Sequence, residues 1–180
     1  MTAAPLTVRL ASPADLAAVW ALCRTVKQQL AADGIAIWDE SYPTEEIFAG
    51  DIAAGELLVA ERSGALVGAL AFSTDHAGEY YFNLTPCAAA DAARALLARA
   101  GTTPQQAVGL HRLMVHPDAR RCGAARALLA AVPRYCPGKA ITLLVADCNT
   151  PALTLYRALG AQACGTAPFG FGQMRLFRLP

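Results

Sequence analysis

The sequence predicts a mixed α/β fold, a central sheet with helices on both faces. Two observations carry this. Apolar residues recur with a period near two in some segments and near 3.6 in others, and the two kinds of segment interleave along the chain. The chain of 180 residues is 55% hydrophobic and only 16% charged, enough apolar material for one sizeable core and too little charge for disorder.

The elements follow in order. Leu6 to Ala11 alternate as a short strand. Ser12-Pro13-Ala14-Asp15 is a helix start, with Ser12 as cap, Pro13 in the first helical position and Asp15 closing a capping box. Leu16, Val19, Trp20, Cys23, Val26 and Leu30 then recur at helical spacing, and Gly34 ends the run. Residues 35–43, IAIWDESYP, form a loop of aromatic and acidic groups, and a second helix spans Thr44 to Ala54. A hairpin follows, with strands Glu56 to Glu61 and Ala65 to Ser73 about a turn at Arg62-Ser63-Gly64.

Residues 75–86 are polar and aromatic without a clear period, Asp91 to Ala100 is helical, and GTTPQQ is a linker. Val108 to Val115 is apolar enough for a central strand, Gly123 to Val132 is a helix stopped near Pro133, and Ile141 to Ala146 is a continuous apolar strand. Thr150-Pro151 opens a last helix that runs to Leu159 and ends at Gly160. One or two strands close the chain over 161–179, around a turn-rich GTAPFGFG. No repeat and no linker divides the chain, so a single domain over residues 5–179 is expected.

The formal net charge is +1, so no basic excess points to nucleic acid and no acidic tail to a basic partner. No stretch approaches the ~18 apolar residues of a membrane helix. The six cysteines include no CxxC pair and only three histidines accompany them, so no metal site is expected. Reduced thiols and a cytoplasmic location are expected, since no secretory signal pattern precedes the chain.

The stretch LHRLMVHPDARRCGAA, residues 110–125, runs from a strand through two arginines into a helix whose first residues are small. The first N–H groups of a helix lack internal partners and carry partial positive charge, which makes that end an anion site. Gly123, Ala124 and Ala125 would let a diphosphate reach the backbone, and Arg120 and Arg121 add charge. A bland alternative is a surface arginine pair before an ordinary helix. The chain has neither the GxxxxGK[S/T] loop nor the three spaced glycines of the two commonest phosphate-binding patterns.

The stretch Val-His-Pro-Asp-Ala-Arg-Arg-Cys-Gly-Ala-Ala resembles the coenzyme A loop of the GNAT superfamily of N-acetyltransferases, with Arg120, Gly123 and Ala125 on the positions of its Arg/Gln-x-x-Gly-x-Gly/Ala pattern. The sequence departs from that pattern at Arg121, where glycine is frequent. Residues 143–161 resemble the family's next strand and helix, with matches at Asn149, Ala152, Leu155, Tyr156 and Gly160. GIAIWDESYP followed by DIAAGELLVAE is similar to a bacterial subgroup. The resemblance spans most of residues 5–178. It implies a mostly antiparallel sheet of about six or seven strands with splayed central strands, and acetyl transfer from acetyl-CoA to a primary amine of a small molecule or peptide. It also implies a homodimer.

An alkylammonium with a pKa near ~10 is neutral in only about one molecule in a thousand at pH 7, so the amine must lose a proton before it attacks. The departing thiolate, near ~8.5, can take a proton from a phenol, and Tyr156 is the candidate acid. Asn149 would hold the coenzyme's amide arm. Against these stand a core aromatic at Tyr156 and a plain helix cap at Asn149. Leu113, Met114 and Val115 would supply the oxyanion donor and pair with pantetheine, a geometry implied by the resemblance. The rest of the coenzyme loop is Arg120, Arg121, Cys122, Gly123, Ala124 and Ala125.

For the base there are three options: His111, which alternation places on one face with Leu113 and Val115; Glu79; or a water relay. His111 is equally readable as a structural histidine. His116, before Pro117, shapes the loop. Trp38, Tyr42 and Tyr80 are the expected acceptor contacts, set among Asp39, Glu40, Asp75, Glu79 and Tyr81; acids and aromatics suit a cationic amine, and a solvated loop with packing aromatics is the alternative. Two rival functions share the pattern, a non-catalytic acyl-CoA sensor or interaction module and a nucleotide-binding protein using the same helix end.

Overall fold

The computed structural model describes residues 5–73, 94–169 and 172–180. The strands are β1 (Leu6–Leu10), β2 (Leu57–Arg62), β3 (Ala65–Ser73), β4 (Ala107–Val115), β5 (Ala140–Ala146), β6 (Gln162–Phe169) and β7 (Gly172–Arg178). The helices are α1 (Leu16–Ala32), α2 (Glu45–Ala53), α3 (94–99), α4 (Ala124–Ala131) and α5 (Thr150–Ala158). The strands run in the order β1-β2-β3-β4-β5-β7-β6. Pairs β1/β2, β2/β3, β5/β7 and β6/β7 are antiparallel and β4/β5 is parallel, so the sheet is mixed and mostly antiparallel.

The chain forms two compact units: Met1–Phe72 with Arg112–Tyr135, and Ser73–His111 with Cys136–Pro180. In the first, alternate residues of β2 and β3 serve different faces. Leu57, Val59, Ala69 and Ala71 join Met114 against α1 and α2, through Val19, Cys23, Val26, Phe48 and Ile52. The other face carries Gly68, beside Leu128 and Ala124 of α4, and Phe72, stacked at 6.1 Å on Tyr135. In the second unit, Leu96 and Leu97 of α3 pack with Cys164, Ala167 and Leu176, while the neighbouring Phe177 meets Tyr156 of α5. Helices therefore cover both faces in each unit.

The capping box before α1 forms as the sequence predicts. The Ser12 N–H and Oγ both donate to the Asp15 carboxylate, at 2.7 and 2.8 Å. Arg9 grips the same carboxylate with two N–H groups at 2.8 Å and also bonds Glu61. That grip holds the Asp15 carboxyl well below its usual range. A depressed folded value stabilises above the ordinary carboxylate pKa and is lost only as strong acid takes the pH down through it.

Three sequence expectations need correction. Arg62 belongs to β2, and the hairpin turns on Ser63 and Gly64 alone, both with positive φ (52° and 76°), the two-residue form whose twist matches the strands. Gly123 caps α4 rather than opening it. The turn-rich GTAPFGFG is strand for most of its length: Gly165 to Phe169 lie in β6, whose register shifts at Cys164, between Ala163 and Gly165. Gly165 spares the strand a clash, since a Cβ would sit 2.7 Å from a Leu96 methyl.

Gly68 has a different cause. A Cβ on it would stand 3.0 Å from the Met114 carbonyl and 3.2 Å from a Leu128 methyl, so the bare backbone lets β3, the end of β4 and α4 close together. Gly68→Val should cost about 3 kcal/mol by overpacking, read as a lowered denaturation midpoint with an unchanged slope.

Candidate active site

The first unit holds the predicted coenzyme loop. His116 shapes it as expected: its N–H donates to Val67 C=O at 2.9 Å, and its Nδ1 accepts from the Asp118 N–H at 3.3 Å, opening a short 3-10 turn at Pro117–Ala119. The chain then passes through Arg121, at φ 65°, and Gly123, at φ 91°, into α4. Arg121 stands where the resembled pattern favours glycine, and its left-handed backbone is the physical reason for that preference, at a cost of about 1 kcal/mol. The first bond of α4 runs from Ala127 N–H to Gly123 C=O at 2.9 Å, so the N–H groups ahead of Ala127 precede the helix ladder. A side chain at Gly123 would meet nothing within 4 Å, which is open space over that end.

The charge pattern agrees. The first turn of α2 carries Glu45 and Glu46, the usual complement to a helix N-terminus, whereas the first turn of α4 has no acid and follows Arg120 and Arg121, both exposed. No side-chain hydrogen bond caps the α4 N-terminus at Gly123. Of the other loop residues, Cys122 and Ala125 are half-buried and Ala124 is buried.

Upstream, β4 pairs β5 only from Ala107↔Ala140 to Leu110↔Leu143, leaving His111 to Val115 outside that ladder, while β5 stays paired to β7 as far as Ala146. Burial alternates as expected: Arg112 and Met114 are buried, and His111, Leu113 and Val115 are half-exposed. Arg112 has φ 53°, a left-handed residue within a strand, so the backbone turns there although burial keeps its alternation from His111 to Val115.

Sequence reasoning missed Arg112. Its guanidinium reaches Asp51 of α2 at 2.5 Å and the Tyr42 hydroxyl at 3.1 Å, and lies 5.8 Å from the centre of the Phe48 ring. Only 3% of its side chain is exposed. Burial pushes the Asp51 carboxyl up, and the charge of Arg112 offsets part of that. The signals were present but faint: one cation within the apolar run LHRLMV, and an acid three residues after Phe48, hence on the same helix face.

The loop 35–43 is tied down at several points. Lys27 Nζ donates to the carbonyls of Asp39 (2.6 Å) and Pro43 (2.7 Å) while lying over the Trp20 ring. Trp38 is half-buried against the α1/α2 core. Asp39 spends its carboxylate on the loop itself, accepting from the Ser41 hydroxyl and the N–H groups of Ser41 and Tyr42, and the Ser41 hydroxyl in particular lowers its pKa. Tyr42 thus ties the loop 35–43 to β4, through Arg112.

In the second unit, Asn149 caps α5, its Oδ1 accepting the Ala152 N–H at 3.3 Å. Tyr156, two turns on, is 5% exposed and its ring centre lies 6.2 Å from that of Phe177. Both residues thus also have structural work. Glu79, Tyr80, Asp75 and Tyr81 lie outside the described residues. Cys23, Cys122, Cys136, Cys148 and Cys164 are free thiols, and Cys87 lies outside the described residues. Among the described residues no cluster of His, Cys, Asp or Glu could hold a metal ion, and no helix is long and apolar enough to cross a membrane.

Solved structures share this architecture. A GNAT-family acetyltransferase from Streptococcus agalactiae superimposes with a TM-score of 0.77 at 18% identity, over 99% of this chain and 97% of that one. A GCN5-related N-acetyltransferase from Kribbella flavida gives 0.66 at 21% identity, over 97% of each chain. The paia N-acetyltransferase from Thermoplasma acidophilum, solved in complex with coenzyme A, gives 0.66 at 14% identity, over 98% of this chain and 99% of that one. No curated protein matches in sequence. The sequence model of the Acetyltransferase (GNAT) family matches residues 23–161, and the chain belongs to that family.

Proposed function

We propose that the two units act as one acetyltransferase domain, residues 5–179, that moves the acetyl group of acetyl-CoA to a primary amine of a small molecule or peptide. The observation that carries this is the α4 N-terminus: a helix end with no acid in its first turn, open above Gly123 and preceded by two exposed arginines. Arg120 to Ala125 grip the diphosphate, Leu113 to Val115 offer main-chain groups to pantetheine and the oxyanion, and the Asn149 amide nitrogen donates to a coenzyme carbonyl. The amine nitrogen forms a bond to the acetyl carbon and the C–S bond breaks. The amine proton leaves through His111, Glu79 or water, and the thiolate takes a proton from Tyr156. Trp38, Tyr42 and Tyr80 line the acceptor side. The chain works in the cytoplasm, as a homodimer, without nucleic acid, membrane or metal.

Calorimetry with acetyl-CoA, followed by free-thiol detection across an amine panel, tests the reading. Tight binding and amine-dependent thiol release are expected. Binding with no release across the panel would instead favour an acyl-CoA sensor, to which the burial of Tyr156 lends some support. Preference for ATP or NAD over coenzyme A would point to a nucleotide-binding protein. Tyr156→Phe should lower kcat by about 100-fold with coenzyme binding retained, and wild-type turnover would remove Tyr156 from the chemistry.

A further inference from the structure

Arg112 links the loop 35–43 to the Leu113–Val115 end of β4 within the first unit. Its backbone, at φ 53°, is the left-handed break in β4 immediately before Leu113 to Val115. Its side chain is fixed from elsewhere, by Asp51 of α2, the Tyr42 hydroxyl of the loop 35–43 and the face of Phe48. A non-glycine residue stays left-handed inside a strand only where its surroundings over-determine it. Those surroundings include a carboxylate, a phenol and a ring face, and the phenol lies on a loop that Lys27 already pins at both Asp39 and Pro43.

We infer that Arg112 is a positioning residue: the clamp of Asp51 and Tyr42 on its guanidinium holds the left-handed turn in β4 and so sets the direction of the Leu113–Val115 main-chain groups. The inference rests on the acyl-transfer reading only for what those groups then do. A peptide turned the wrong way would still leave the coenzyme's diphosphate arm held at α4, so the fault would show far more in turnover than in binding. The same clamp joins the loop that faces the acceptor to the strand that faces the thioester, so Tyr42 serves by fixing Arg112 as well as by touching substrate.

The variant Asp51→Leu/Arg112→Met replaces both charges of this pair with apolar side chains, so that neither is left buried opposite the other's absence and the fold is retained. In the free full-length chain, amide hydrogen exchange at 113–115 should rise about tenfold or more while α4 stays near its wild-type rate. Unchanged exchange at 113–115 overturns the inference, and so does acceleration spread evenly over β2, β3 and α4. With acetyl-CoA as probe, the variant should keep a Kd within about threefold of wild type and lose about tenfold to 100-fold in amine-dependent thiol release. Arg112→Lys, which restores the charge, should recover part of that loss. A wild-type rate in the double variant overturns the inference. A wild-type protein that neither binds acetyl-CoA nor releases thiol removes the acyl-transfer reading instead, and the exchange comparison then decides the backbone device by itself.

Discussion

Gly123→Asp is expected to fold like the wild type and to bind acetyl-CoA about 100-fold more weakly, a loss of about 3 kcal/mol. The two halves of that expectation have separate causes. Gly123 is left-handed at φ 91°, and aspartate is among the few residues that tolerate positive φ. Gly123 is also the N-cap of α4, where aspartate is favoured. The position is open, so the new side chain meets no neighbour. The capping gain and the cost of a Cβ at a left-handed φ work against each other, so stability should stay within about 1 kcal/mol of wild type. The carboxylate, however, takes the N–H groups and the partial charge that the diphosphate would use, and it repels a second anion. Thermal unfolding checks the first half and calorimetry the second. A variant that keeps the wild-type Kd would place the diphosphate elsewhere and end the argument built on this helix.

Much of this frame is legible because its signals are local. Ser12-Pro13-Asp15 announces α1 within four residues, the apolar run ending at Val115 announces β4, and the small residues after Gly123 announce α4. What stays hidden depends on partners distant in sequence. Arg112 and Asp51 are 61 residues apart, and neither has a neighbour that announces the pair. The left-handed backbone at Arg112 has no sequence signature at all, since arginine is not a residue that favours it. The strand β6 was obscured for the opposite reason: Gly165 and Pro168 are turn-forming residues by propensity, and pairing with β7 overrides them. The structural roles of Tyr156 and Asn149, a core aromatic and a helix cap, were legible alternatives, and the structure shows both.

The largest stability effect is expected at Asp51. Asp51→Ala should lower the free energy of unfolding by about 3–5 kcal/mol, because it takes the Asp51 carboxylate away from a guanidinium that stays buried and charged. That is roughly 10 °C in Tm for a chain of this size. The pair itself is not a large net source of stability: burial pushes the Asp51 carboxyl up and Arg112 only partly offsets it, so both charges are held at a desolvation cost. The expense lies in breaking it, since the Arg112 side chain is 3% exposed and cannot lose its proton to escape. Asp51→Asn keeps an oxygen that can accept from Arg112 and should lose much less than the alanine variant. Asp51→Leu/Arg112→Met should recover most of the alanine loss, as apolar replacement of a buried pair often does. Denaturant titration of the three variants measures the order. An alanine variant that loses under about 1 kcal/mol would mean that water reaches Arg112, and then neither the strained turn in β4 nor the position of Tyr42 could be credited to a buried clamp.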